Sequence, residues 1–196
     1  MTNAESSGNG ERLLYNRKKD AQVSFVPEKR QFRVTVEMQD HVHHLRLTMM
    51  VKHPSLKIVE IQCEMAGVPD PVCRDAQNCL DALIGKKVGS GLVKELNGDW
   101  NKQGCTHLKD LFHEACYCLT QSQDVHGKYE LAQLFPGITE EQVYKIFFWF
   151  RPDIKNGCLR YTQDTPFMQR VRSTEAPEGA EKLKAIAKSQ QQQEKQ

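Results

Sequence analysis

Gln31-Phe32-Arg33-Val34-Thr35-Val36-Glu37-Met38-Gln39 alternates apolar and polar residues without a break. A period of two puts Phe32, Val34, Val36 and Met38 on one side of an extended chain and Arg33, Thr35 and Glu37 on the other, as in a half-buried β-strand. A second alternation follows the short connection at Asp40: His43, Leu45, Leu47, Met49 and Val51 share a face, with His44, Arg46, Thr48 and Lys52 opposite. His53-Pro54-Ser55 breaks that run. A third run, led in by Leu56 and Ile58, sets Val59, Ile61, Cys63 and Met65 against Glu60, Gln62 and Glu64. Before the first run, Val23 and Phe25 start a fourth strand that Pro27 interrupts. Three or four adjacent strands with short links predict an antiparallel meander, wet on one face and covered by helices on the other.

The covering helices follow in sequence. Asp70 is an N-cap residue and Pro71 suits the first helical position; Val72, Ala76, Cys79, Leu80 and Leu83 then form a stripe that Gly85 ends. Lys86 to Leu96 is a shorter element bent at Gly89 and Gly91, and Asn97-Gly98-Asp99 is a turn. A second helix starts near Cys105 and carries Leu108, Leu111, Phe112, Ala115 and Leu119 on one side, with Cys116 beside them. Tyr129 to Leu134 reads as a separate short helix closed by Pro136-Gly137. Thr139-Glu140-Glu141-Gln142 is a capping box, opening a helix with Val143, Ile146, Phe147 and Phe150 that Pro152 stops.

The predicted class is α+β, with residues 1–12 disordered, one domain over 13–168, and a charged, glutamine-rich tail over 169–196 that forms a frayed helix or none. The chain has 196 residues, 39% of them hydrophobic, enough for one real core. Its 27 lysines and arginines against 25 acids give a net charge of +2, which offers no bulk attraction for nucleic acid or a membrane. The start lacks a signal-peptide pattern and no apolar run is long enough to span a bilayer, so a cytoplasmic protein is expected. Seven cysteines, odd in number and irregularly spaced, predict reduced thiols rather than a disulfide framework.

Two of those cysteines stand at predicted helix starts, Cys73 in Asp70-Pro71-Val72-Cys73 and Cys105 in Gly104-Cys105-Thr106-His107. A helix N-terminus favours a thiolate, and thiolate with imidazole suits zinc or an iron–sulfur species. Cys73, Cys105 and His107 are therefore the candidate metal ligands, provided the fold joins the two helix starts. The same two thiols also suit redox exchange if their backbones approach within about 7 Å. In His41-Val42-His43-His44 only His41 and His43 share a side, and His43 on the dry face is a candidate further ligand. Cys63, Cys79 and Cys116 occupy core positions. Gly85-Lys86-Lys87-Val88-Gly89-Ser90-Gly91 carries lysines and glycines but lacks the phosphate-loop pattern and reads as a helix end and turn.

Val72-Cys73-Arg74-Asp75-Ala76, Leu83-Ile84-Gly85-Lys86 and Gly104-Cys105-Thr106-His107-Leu108, in that order after three strands, resemble a bacterial family known only as a domain of unknown function. The resemblance runs from about Leu13 to Phe167. The same order is more distantly similar to NifU/IscU-type iron–sulfur scaffolds, which place a three-stranded sheet before a cysteine-led helix and a later cysteine beside a histidine. That likeness implies that Cys73 and Cys105 match two of the three cluster cysteines, with His107 near the scaffold's histidine. The scaffold's first cysteine has no counterpart before Cys63, and Thr106 separates Cys105 from His107. The expected function is a NifU/IscU-like accessory or carrier protein binding zinc or an iron–sulfur species through Cys73, Cys105 and His107, with an unidentified protein partner. The alternative is a metal-free interaction or small-ligand-binding module, its cysteines packed at helix ends.

Overall fold

A computed structural model describes residues 12–89, 91–92 and 104–193. The expected meander is present with four strands: β1 (Lys18–Val26), β2 (Gln31–Gln39), β3 (His44–Lys52) and β4 (Lys57–Gly67), each antiparallel to the next, in the order β1-β2-β3-β4. The period-two reading sets the register faithfully. Phe32 lies opposite Val51, Val34 opposite Met49, Val36 opposite Leu47 and Met38 opposite Leu45, all buried. Cross-strand apolar pairs of this kind stabilise a sheet face that something must cover.

One strand departs from strict alternation. Val51 pairs with Ile58, whereas Met50 pairs with Glu60, so the ladder shifts by one residue between them. The irregularity turns Ile58 into the core at 1% exposure and Val59 out at 39%. The expected inward Val59 is therefore corrected: an extra residue in one strand reverses the facing of what precedes it. Ile61, Cys63 and Met65 face inward as expected.

Asp70 caps the segment after the sheet, its carboxylate accepting from Val72 N–H at 2.9 Å. The helix over Pro71–Leu83 is a 3₁₀ helix rather than the expected α-helix. Three residues per turn bring Cys73, Ala76 and Cys79 onto one half-buried stripe and leave Val72 66% exposed, outside the core. Leu80 and Leu83 anchor its end. The chain then returns along β4: Ile58 N–H donates to Lys86 O, Gly85 N–H to Ile58 O and Val88 N–H to Leu56 O. Val88 and Leu92 complete this edge of the core. The expected element beyond Leu92 and the turn at Asn97 lie outside the described residues.

The helix α1 (Thr106–Leu134) lays Leu108, Leu111, Phe112, Ala115, Cys116 and Leu119 into the same core as the sheet residues. It is continuous through 134, so the separate helix expected from Tyr129 is its last part. The apolar stripe ends at Leu119 and Thr120 to Gly127 is poor in strong helix formers, but no proline interrupts the backbone hydrogen bonding before Pro136, and Lys128 to Leu134 favours helix again.

Contacts divide the chain at Ser122/Gln123, inside α1, a boundary that the sequence reading does not draw. In the second unit Thr139 closes the capping box as expected, donating to Gln142 Oε1 from its own N–H at 3.0 Å and accepting from Gln142 N–H at 3.3 Å. Helix α2 (Glu140–Phe150) buries Val143, Tyr144, Ile146 and Phe148. Phe147 and Phe150, placed inward by the sequence pattern, are half-buried. Helix α3 (Pro166–Ser173) adds Phe167, Met168 and Val171, which cluster with Tyr144 and Phe148. A further helix, α4 (Glu181–Gln193), occupies the charged tail, with Ala180 and Ala187 buried. Among the described residues no helix is long and apolar enough to cross a membrane.

Candidate functional site

The β2–β3 turn and the start of α1 meet at one end of the sheet. Asp40 organises the turn. Its carboxylate accepts from Val42 N–H at 2.9 Å and His43 N–H at 2.7 Å, from the Arg17 guanidinium at 2.8 and 3.1 Å, and from Tyr15 O–H at 3.0 Å. The side chain is 1% exposed. Burial by itself pushes a carboxyl up, but the two backbone N–H groups, then Arg17 and Tyr15, outweigh it and hold Asp40 well below the usual carboxylate range. Asp40 also lies 3.1 Å from His43 Nδ1, which fixes that ring.

His43 faces the dry side, as its position in the alternation requires, and its ring meets that of His107 with centroids 4.0 Å apart at 44°. His107 sits in the first turn of α1 and Cys105 immediately precedes the helix, its carbonyl accepting from Lys109 N–H at 3.0 Å. Cys105 Sγ is 3.9 Å from His107 Nδ1. Burial lowers the His107 pKa, and the positive potential of His43 and Arg17 lowers it further against the opposing pull of Asp40 and Asp110. A neutral imidazole is the ligand form, so this environment favours coordination over protonation.

Of the candidate ligands, Cys105 and His107 stand together and His43 joins them. Cys73 is held half-buried in the first turn of the 3₁₀ helix, its N–H donating to Asp70 O at 3.0 Å. Among the described residues, no three of Cys73, His43, Cys105 and His107 bring ligand atoms within 4.8 Å of one another. Cys79 and Cys63 lie near enough to Cys105 that negative charge there would oppose their ionisation. Burial pushes the Cys63 thiol up to about 12 and raises Cys79, whose Sγ–H donates to Ala76 O at 2.8 Å; both behave as small core residues. His41 turns instead to the Tyr15 ring, 5.4 Å away, and His44 Nε2 reaches Glu37 at 2.7 Å, so the histidine run divides among three partners.

Sequence reading misses Arg17, Tyr15 and the central place of Asp40. A turn aspartate two and three residues ahead of N–H groups that it can accept from is a local signal. Its contacts with Tyr15 and Arg17, 25 and 23 residues away, leave none.

The class this defines is an α+β domain, a four-stranded antiparallel meander backed by one long helix, with a thiol and two imidazoles at the helix start. The chain belongs to a family described as a protein of unknown function (DUF2889), which matches residues 18–121. That match begins with β1 and stops beside the division at Ser122, so the family domain is the first unit. No curated protein and no solved structure matches the chain, and the likeness to NifU/IscU scaffolds rests on the order of sequence elements alone.

Proposed function

We propose that the family domain is an accessory or carrier module that binds a single zinc ion, or another divalent ion of similar preference, through Cys105 and His107, with His43 as third ligand. The observation that carries this is the 3.9 Å separation of Cys105 Sγ and His107 Nδ1. Two ligands of one tetrahedral zinc, with bonds of about 2.3 and 2.0 Å, stand roughly 3.5 Å apart. The pair therefore needs only a small side-chain rotation to share an ion. Asp40 against His43 Nδ1 leaves Nε2 as the coordinating nitrogen, the carboxylate–histidine arrangement that orients metal-bound imidazoles. An iron–sulfur species needs more sulfur than Cys105 supplies, and would require Cys73 or Cys79 to turn in.

Cobalt(II) titration of the reduced, metal-free protein tests this reading. The expected result is one equivalent bound, with a thiolate-to-cobalt charge-transfer band that Cys105→Ser abolishes. His107→Ala should weaken binding by at least tenfold and His43→Ala by less. Cys73→Ala and Cys79→Ala report whether either sulfur joins. Absence of the band, or a band indifferent to Cys105→Ser, overturns the proposal.

A further inference from the structure

The opposite end of the sheet is densely basic. Arg30 follows the turn between β1 and β2, and its carbonyl accepts from His53 N–H at 2.9 Å, which places it beside the end of β3. Gln31 is opposite Lys52, Lys52 is opposite Lys57, and Lys57 forms a bridge with Lys87. Lys52, Lys57 and Lys87 thus form a row across three neighbouring segments about 4.8 Å apart, all on one face because opposed residues share a face. The hydrogen bonds flanking Lys57 and Lys87 run between Ile58 and Lys86 and between Val88 and Leu56. That makes the two lysines a non-hydrogen-bonded pair, the closer kind, with Cα atoms about 4.5 Å apart.

Lys29, Arg30 and Arg33 extend the row, and all six residues are exposed. None of the six has a carboxylate oxygen within 4.0 Å among the described residues. Glu28 lies in the adjoining turn and Glu60 stands across Met50 from Arg33 at the edge of the patch, and among the described residues neither forms an ion pair with any of the six. Like charges set directly opposite each other destabilise a sheet, so this arrangement gains stability from an anion laid across it.

We infer that Lys52, Lys57 and Lys87, supported by Lys29, Arg30 and Arg33, form a docking surface for a compact polyphosphate group, free or carried by a nucleotide. The charge is confined to one end. Four residues along β2 from Arg33, roughly 13 Å at about 3.3 Å per residue, Glu37 and Glu64 flank Arg46 on the same face. An extended polyanion running along the sheet meets those carboxylates, whereas a compact one does not. None of the six basic residues is aromatic, and the nearby Phe25 and His53 rings are half-buried against each other rather than presented for bases to stack on, which also argues against single-stranded nucleic acid. Lysine ammonium groups are flexible point charges suited to a group with several negatively charged oxygens.

Calorimetric titration of the full chain at low ionic strength with sodium tripolyphosphate tests this. Binding is expected, weakened at least tenfold by Lys57→Gln with Lys87→Gln and left intact by Lys18→Gln at the far end of β1. Without tripolyphosphate the double variant should melt higher than wild type, since it loses a like-charge pair. Equal affinity for a nucleoside triphosphate assigns recognition to the phosphate chain alone, and tighter binding adds nucleoside contacts; both support the inference. No binding to wild type, equal weakening by Lys18→Gln, or tighter binding of a pentaglutamate peptide or duplex DNA overturns it.

Discussion

Asp40 shows how one buried charge can hold a site it does not itself form. With five donors converging on it and almost no solvent, its replacement by asparagine leaves Arg17 short of its counter-charge and loosens the turn that aims His43. The expected cost is about 3 kcal/mol, read as a shift in the urea midpoint of the metal-free protein. The pH dependence has a definite sign. The folded-state pKa lies below the ordinary value of 3.8, so Asp40 contributes stability that is fully present above that value. The contribution is lost as pH falls below 3.8 toward the folded value. Asp40→Asn should therefore flatten the acid limb of the stability profile between about pH 4 and 2, and an unchanged limb would remove Asp40 as its source. At the same scale Gly67 packs tightly: a Cβ there would stand 2.9 Å from His44 N, so this end of β4 has no room for a side chain beside the site.

At the scale of elements, β4 gives a sharp test. Ile58→Ala should cost about 3 kcal/mol, as for a large-to-small change in a full core, and Val59→Thr less than about 0.5 kcal/mol. Denaturant midpoints for the two variants distinguish the bulged register from an unbroken alternation, which predicts the reverse. How far the sequence could be read is clear from the same strands. The faces of β2, and of β3 as far as Met49, follow from alternation alone because one side is buried throughout; Met50 is buried although its partners Arg33 and Glu60 set it on the outer face. The bulge in β4 leaves no mark in the hydrophobic pattern, since Ile58 and Val59 are both apolar. The 3₁₀ geometry of Pro71–Leu83 is hidden for a similar reason: Val72, Ala76, Leu80 and Leu83 fit an α-helical stripe, and only packing selects a three-residue repeat. For the site, Cys105 and His107 were legible as neighbours in one helix start. His43 required the strand's facing, and Arg17 and Tyr15 required the tertiary fold.

For the whole molecule, the coincidence of the family match with the first unit gives each unit its own testable integrity. The first is centred on the sheet and Leu111, the second on Tyr144, Phe148 and Phe167. Leu111→Ala and Phe148→Ala, each expected to cost about 2–5 kcal/mol in its own core, should shift different transitions in a calorimetric scan. A single transition moved by both would show that the units melt as one. Within the second unit, Lys145 of α2 donates to the carbonyls of Val171, Arg172 and Thr174 at the end of α3. Carbonyls there have no partner within their own helix, so the final turn of α3 is completed by a residue made earlier in synthesis. That makes the end of α3 contingent on α2: the aromatic helix serves as the template on which the basic one terminates.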